Sequence, residues 1–209
     1  MTGFHALSVT FVIFVWEDQN MAKTETLKKH LRRGKVYRRS DLEQWSKSVD
    51  REIAELVREG VLQKVATGIY HYPKSNAFGK EPPKETDLIQ KFLKSNKFMI
   101  TSYNHFNGLG LGTTQLYNQK IVYNHTRSGE YKLGTKKFVF KKKNAFPDKL
   151  TKEFIFIDLV NNLNNLAEDQ PKVLEKVYRQ IDSLESASFQ DALRQYGTPK
   201  TRKLLAHAT

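Results

Sequence analysis

The chain has 209 residues, a length that accommodates one large domain or two small ones. Apolar residues make up 39% of it and charged residues 27%, so it can bury a core and does not have the composition of a disordered chain. It contains no cysteine, which excludes disulfides, thiol catalysis and cysteine-ligated zinc. This composition fits a reducing compartment, and we expect a cytoplasmic protein.

Basic residues outnumber acidic residues by 35 to 22, which gives a net charge of +13. An excess of this size predicts a polyanionic partner, with nucleic acid favoured over an anionic membrane surface. The excess is uneven, because residues 1–20 carry −2, residues 21–80 carry +7, residues 81–149 carry +8 and residues 150–209 are neutral. We therefore expect the surface that faces the polyanion to lie before residue 150.

Residues 1–21 form a separate segment with an apolar run at residues 9–16. The run is shorter than the about 20 residues that a membrane-spanning helix needs, and no membrane partner is expected. It also lacks the basic start and the cleavage site of a signal peptide. Two interpretations stand: an upstream extension foreign to the working protein, or an extra strand or interaction segment.

Residues 22–74 predict a winged helix-turn-helix domain. A basic helix over residues 22–33 ends at Gly34, and a second short helix opens at a capping box of Ser40 and Glu43. Ser48 is the predicted N-cap of a third helix. In a winged helix-turn-helix, the third helix enters the major groove of DNA.

The third helix and the following hairpin complete this pattern. One face of the helix is apolar, made of Val49, Ile53, Leu56 and Val57. Gly60 ends the helix. Two β-prone runs follow at residues 61–65 and 69–72, and the turn at Thr67 and Gly68 between them predicts a hairpin wing.

The remaining chain predicts a linker at residues 75–86 and a second domain at residues 87–209. The linker is rich in proline, glycine and lysine. After a first helix, β-prone runs predict strands near residues 97–100, 119–123, 131–133 and 136–140, and residues 150–209 are helical. The predicted fold class is therefore α+β: a winged helix-turn-helix followed by an α+β domain with a small mixed sheet and C-terminal helices.

The outward face of the third helix supplies the first candidate DNA contacts, because a helix in the groove shows its exposed side chains to bases and phosphates. These candidates are Lys47, Ser48, Arg51 and Arg58. The alternative is a solvated face on which the arginines pair with Glu52, Glu55 and Glu59 of the same helix.

Seven basic residues fall within 12 positions before the third helix, with a tyrosine among them. The set is Lys28, Lys29, Arg32, Arg33, Lys35, Tyr37, Arg38 and Arg39. Like charges at this density repel one another unless a polyanion is near, so we predict that the set contacts phosphates. Lys64, Thr67 and Lys74 are further candidate phosphate contacts on the wing.

A second basic patch lies in the predicted second domain and comprises Lys132, Lys136, Lys137, Lys141, Lys142 and Lys143. Two interpretations stand for it. Lysines on an edge strand protect the strand against aggregation, or the patch binds an acidic partner or DNA.

Catalysis is not predicted. The histidines are scattered and imply no metal site, and no cofactor motif occurs. Glu130 and Lys132 match the spacing seen in metal-dependent nucleases, but no aspartate lies between Asp87 and Glu130 to complete such a site. A magnesium-dependent nuclease is therefore a minor alternative.

Several short motifs carry a family resemblance. They are G-I-Y-H-Y-P-K at 68–74, T-S-Y-N-H-F-N-G-L-G-L-G-T at 101–113, T-K-K-F-V-F-K at 135–141 and T-R-K-L-L at 201–205. Together with the basic first helix, they make residues 22–205 similar to the AbiEi-like antitoxins and transcriptional regulators. Residues 1–20 have no counterpart in that family.

The resemblance implies an N-terminal winged helix that binds promoter DNA and represses its own operon. Arg51 and Arg58 fall on its recognition helix, and residues 64–71 fall on its wing. It also implies a C-terminal domain that counteracts a nucleotidyltransferase-type toxin encoded nearby. The expected partners are double-stranded DNA, that toxin, and a second copy of the chain on an inverted repeat. A toxin-neutralising protein with incidental DNA binding and an RNA-binding protein are the remaining alternatives.

Overall fold

The computed structural model describes residues 27–111, 113–181 and 186–206. The class is α+β, as predicted, and the chain divides into two compact units. The first unit runs to Ser95 and includes the turn Leu133–Thr135, and the second comprises Asn96–Lys132 and the chain from Lys136 onward. The segment interpreted as an extension or an interaction segment, residues 1–21, lies outside the described residues.

Within the described residues, the first unit begins with helix α1 at residues 27–30. It continues with β1 (Val36–Arg38), α2 (Arg39–Leu42), a 3₁₀ turn (Glu43–Trp45), α3 (Val49–Arg58), β2 (Gln63–Ala66), β3 (Ile69–His71), β4 (Ser75–Asn76), β5 (Gly79–Lys80) and α4 (Glu85–Leu93). Strand β3 lies between β1 and β2 and is antiparallel to both. This is the element order predicted for residues 22–74. Because residues 22–26 of the predicted first helix lie outside the described residues, the complete winged helix stays a prediction.

The core of the first unit fixes the orientation of α3. Ile53 and Leu56 of α3 are buried in one apolar cluster with Leu27 of α1, Leu42 of α2 and Leu62. Each fully buried side chain of this size contributes about 1.5–3 kcal/mol relative to an exposed one. The opposite face of α3 is thereby held toward the surface.

The start of α2 differs from the prediction. The helix begins at Arg39, and the carboxylate of Asp41 accepts a hydrogen bond from the backbone N–H of Arg38 at 3.0 Å. The predicted capping box of Ser40 and Glu43 is therefore wrong. The physical reason for the difference is that the carboxylate of Asp41, the residue after Ser40, already accepts the free backbone N–H at the start of the helix.

The domain boundary also differs from the prediction, because α4 belongs to the first unit. Leu88 of α4 is buried, and the Arg38 guanidinium donates to the Lys91 carbonyl at 2.6 Å. The Lys91 ammonium pairs with Asp41 at 2.6 Å. Residues 75–86, predicted as a linker, contain the short antiparallel pair of β4 and β5. The proline, glycine and lysine residues of this segment therefore form turns and do not form a flexible linker.

The second unit contains β6 (Phe98–Thr101), α5 (Asn104–Asn107), β7 (Lys120–Asn124), β8 (Gly129–Leu133), β9 (Lys136–Lys142), α6 (Lys152–Asn161), a 3₁₀ turn (Leu163–Asn165), α7 (Gln170–Ile181), α8 (Ser186–Tyr196) and α9 (Pro199–Leu205). The strand order is β6-β7-β9-β8, with β6 antiparallel and β9 parallel to β7. The predicted mixed sheet is thus confirmed. Helix α6 is apolar around most of its circumference and is buried in the core of this unit.

One buried histidine predicts that the first unit loses stability in acid. His71 of β3 is 1% exposed, and neither ring nitrogen has a hydrogen-bond partner among the described residues. Burial lowers the pKa of its imidazole, and the carboxylate of Asp87 opposes this effect. The unfolded chain therefore takes up a proton below about pH 6.5 at a position where the folded chain resists it.

We expect the stability contributed at His71 to be complete above about pH 6.5 and to be lost as the pH falls through the lowered pKa. His71→Leu should reduce the difference between the unfolding free energies at about pH 7.5 and about pH 5.5, measured by urea denaturation. The matched control is His30→Gln, since His30 is exposed. An unchanged difference in the His71 variant would contradict the argument.

Candidate nucleic-acid interface

The outward face of α3 carries a continuous stripe of side chains that follow one another at intervals of about one helical turn. Arg51, Ala54, Glu55 and Arg58 line a shallow concavity on this face. Lys47 and Ser48 are exposed at the N-terminal end of the helix, and Ser48 is its N-cap, as predicted. The helix therefore presents the residues that the sequence placed on its outward face.

The acidic residues of the first half of α3 are engaged inside the first unit. Asp50 accepts two hydrogen bonds from the Arg39 guanidinium, which also pairs with Glu43. The bond from Arg39 holds the pKa of the Asp50 carboxyl below its usual range. Glu52 is buried and accepts the Ser46 hydroxyl at 2.5 Å. Both Asp50 oxygens and one Glu52 oxygen thus have partners in the first unit, whereas the other Glu52 oxygen is buried without a partner among the described residues. The pairing of Asp50 with Arg39 weakens the main objection to an anionic ligand on this helix.

The two arginines of the stripe differ in their partners. Arg58 donates to Glu55 at 3.2 Å, although its side chain remains 76% exposed. The Arg51 side chain makes no hydrogen bond or ion pair within the part of the chain that the structure describes, and its backbone N–H donates to the Ser48 carbonyl at 3.1 Å. The alternative of a self-paired face therefore describes Arg58, whereas Arg51 keeps its donors for a base or a phosphate.

The predicted phosphate-binding set before α3 divides into two groups. The exposed group is Lys28, Lys29, Arg32, Arg33 and Lys35. Within it, the Arg33 guanidinium lies 5.6 Å from the centre of the Tyr72 ring. Stacking on an aromatic ring orders an arginine and leaves its edge free to donate. The side chains of this group are on the surface, so their phosphate contacts stay a prediction.

The second group has structural roles, which corrects its predicted assignment. Tyr37 is buried, and its hydroxyl accepts the backbone N–H of Arg32 at 2.6 Å. Arg38 and Arg39 are half-buried, and their guanidiniums bond to the α4 carbonyl and to the Asp50 carboxylate. These three side chains hold the sheet, α2, α3 and α4 together, so we remove them from the candidate DNA contacts.

The wing residues lie on the surface. Lys64 is exposed on β2, Thr67 is exposed in the turn, and Lys74 is exposed after β3. Gly68 has a φ of 68°, which explains the glycine in this turn. Its carbonyl accepts the backbone N–H of Arg39 at 2.9 Å. Because the Arg39 side chain holds Asp50, one residue connects the wing turn to the first turn of α3.

The second basic patch is split between the surface and the interior. Lys132, Lys137 and Lys142 are exposed, and Lys136 is half-buried. Lys141 instead donates to the Tyr103 hydroxyl at 2.7 Å. Lys143 pairs with Asp158 at 2.8 Å. Neither interpretation of the patch anticipated these two contacts. Lys141 near the end of β9 and Lys143 directly after the strand lie two positions apart and contact the interior, whereas Lys142 between them is exposed.

Lys141 and Lys143 belong to a polar network in the core of the second unit. Asp158 of α6 is 2% exposed and accepts the Tyr123 hydroxyl at 2.8 Å. Asn162, one turn later, donates to Asp158 at 3.0 Å and accepts from Lys141 at 3.1 Å. The network fastens α6 to β7 and β9. Its signal in the sequence is an aspartate in the middle of an otherwise apolar helix.

Burial sets the protonation of this network. It raises the pKa of Tyr103 to about 12 and raises the pKa of Tyr123, so that both phenols stay protonated and donate. It also lowers the pKa of the Lys141 ammonium. Each polar group named here has a partner, and satisfied networks of this kind specify a core packing.

Over residues 23–191, the sequence matches DUF6088, a family of unknown function. The chain belongs to the DUF6088 family. No curated protein and no solved structure matches it. The matched range includes α3, the wing and the buried network of the second unit, so the candidate DNA-binding surface and this network both lie in the part of the chain that matches the family.

Two further observations concern other classes of function. Among the described residues, no three histidine, aspartate or glutamate side chains come together in a way that would hold a metal ion. Glu130 and Lys132, which match the spacing of a nuclease motif, are both exposed on β8. Within the same described ranges, no helix has the length and apolar character needed to cross a membrane.

Proposed function

We propose that this DUF6088 member is a transcriptional regulator whose first unit binds promoter DNA, with α3 in the major groove. The observation that carries the proposal is the outward stripe of α3. It exposes Arg51 without an internal partner while Asp50 and Glu52 are engaged elsewhere. Arginine is the side chain that most often reads guanine, through its O6 and N7 atoms.

The surrounding cations supply affinity in this proposal. Exposed lysines and arginines at residues 28–35 and on the wing neutralise phosphates and release counterions, which is independent of sequence. Arg51 and its neighbours on α3 then select the base pairs. Repression of the chain's own operon, on an inverted repeat bound by two copies, completes the proposed role.

Arg51→Ala tests the proposal. If Arg51 reads a base, the variant should bind the preferred duplex more weakly by about 1–3 kcal/mol and should lose discrimination at one position. The measurement is fluorescence anisotropy with the gene's own upstream DNA and with single-base variants of it, at one fixed salt concentration.

Arg194→Ala is the matched control, because it removes one exposed arginine from α8 of the second unit. It should leave duplex binding unchanged. Equal losses for Arg51→Ala on all duplexes would make Arg51 a phosphate contact. Tighter binding of the wild-type chain to RNA of the same sequence would favour the RNA-binding alternative.

The antitoxin role implied by the family resemblance stays a prediction for the second unit. Counteracting a nucleotidyltransferase-type toxin requires that toxin as a partner, and promoter binding by the first unit does not depend on it. The two roles are therefore separable, and the proposal above concerns DNA binding.

A further inference from the structure

A fully exposed aromatic side chain lies at the tip of the β4–β5 hairpin. Phe78 is 100% exposed, the highest exposure among the large apolar side chains of the described residues. An exposed phenylalanine gains nothing from folding, because its hydrophobic contribution is realised only on burial. A ligand that covers the ring would supply that burial.

The turn that carries Phe78 is held in one conformation by its neighbours. The side-chain oxygen of Asn76 accepts the backbone N–H of Phe78 at 2.9 Å. The Asn76 amide in turn donates to Glu81 at 3.3 Å, and the Glu81 N–H donates to the Lys74 carbonyl at 2.8 Å. The ring is therefore presented on a preorganised tip, which lowers the entropy lost on binding.

The hairpin is also fastened to the end of α3. The Lys80 ammonium donates to the carbonyl of Gly60, just after the helix, at 2.6 Å. Ser75 and Lys80 line a hollow shared with Lys28 and Arg33. The base of the hairpin that carries the ring thus lies next to the residue that follows the C-terminal end of α3 and next to members of the exposed phosphate-binding group.

The charges around the tip indicate which class of ligand the exposed ring binds. Lys74, Lys80 and Lys84 lie in or beside the hairpin segment, together with Glu81 and Glu85. The hollow at its base adds Lys28, Arg33 and Glu59, so basic residues outnumber acidic ones by five to three. Duplex DNA combines a polyanionic outside with apolar base faces, and architectural DNA-binding proteins insert phenylalanine between base pairs from the minor groove. A lone aromatic ring among lysines lacks the extended apolar surface of a stable protein interface.

We propose that Phe78 inserts into a base step of the duplex beside the groove that α3 occupies, unstacking that step and bending the DNA. This inference rests on the proposed function, since it needs the first unit on DNA. It adds a second DNA-contacting element, outside the helix and the wing, with a role in DNA shape rather than in base reading.

The test uses the full chain and duplexes of its upstream region that carry 2-aminopurine at successive T-A steps. Unstacking of the probe base raises its fluorescence, so the wild-type chain should brighten one of these duplexes. Phe78→Ala should abolish the signal and weaken binding by about tenfold, the scale of one lost base–aromatic contact. Phe78→Leu should keep the signal, because leucine also serves as a wedge.

Leu116→Ala is the control for loss of an exposed apolar side chain, since Leu116 is 81% exposed in the second unit. It should change neither readout. If the wild-type chain and Phe78→Ala bind equally well without a fluorescence change while Arg51→Ala still weakens binding, the insertion is overturned and the proposed function stands. If the wild-type chain binds no duplex, both are overturned.

Discussion

Asp158→Ala is expected to lower the free energy of unfolding by about 3 kcal/mol, because it removes the acceptor at the centre of a buried network. In the variant, the Tyr123 hydroxyl and the Lys143 ammonium both lose their partner. We choose the lower end of the range for broken buried pairs, since Lys143 is 22% exposed and its ammonium can turn toward water. Urea denaturation followed by circular dichroism measures the change.

Asp191→Ala is the matched control for this prediction. Asp191 pairs with Arg194 on the same helix, and both side chains are largely exposed. Exposed pairs of this kind contribute about 0.2–1 kcal/mol at most. Equal losses in the two variants would show that the network does not stabilise the second unit. Asp158→Asn should fall between them, because it keeps an acceptor for Tyr123 but loses the charge that pairs with Lys143.

Most helices and strands could be predicted because their signals are local. Thr198 caps α9 by accepting the Thr201 N–H at 3.2 Å, and Pro171 lies in the first turn of α7, a position that suits proline. Gly60 and Gly68 have positive φ at the predicted helix end and wing turn. A cap or a turn depends on a few neighbouring residues, so a single sequence carries the information.

The roles of the basic residues could not be predicted, because they depend on contacts between distant segments. Lys35 and Arg38 lie three positions apart in the same basic run, yet Lys35 is exposed and Arg38 bonds to α4. The composition of the basic run does not distinguish a residue that is exposed from one that bonds to another helix. Only the packing of α4 on β1 separates a surface cation from an internal one.

The buried network also shows that the sequence does not identify contacts between distant segments. Lys141 and Lys143 were grouped with exposed lysines, because a strand with lysines on both faces resembles a protected edge. Their acceptors are Tyr103, which directly precedes α5, and Asp158 of α6, and no local pattern connects these segments with β9. A buried aspartate in an apolar helix predicts that a partner exists, but it does not identify that partner.

If the exposed cations of the first unit contact phosphates, duplex affinity will depend steeply on salt. With six phosphates neutralised, the logarithm of affinity should fall with the logarithm of salt at a slope of about −5, or about 10³-fold between about 50 and about 200 mM. Six basic side chains of the first unit are exposed and make no ion pair among the described residues, which is enough to contact six phosphates. They are Lys28, Lys29, Arg32, Lys35, Lys47 and Lys64.

The double variant Lys28→Ala, Lys29→Ala should reduce the magnitude of that slope by about 2 and weaken binding to all duplexes alike. Lys200→Ala, Lys203→Ala removes the same charge from α9 of the second unit and is the control. A slope that changes equally in both double variants would mean that the protein acts only as a diffuse positive charge. A change confined to the first would place the phosphates beside α1, where the element order of a winged helix requires them.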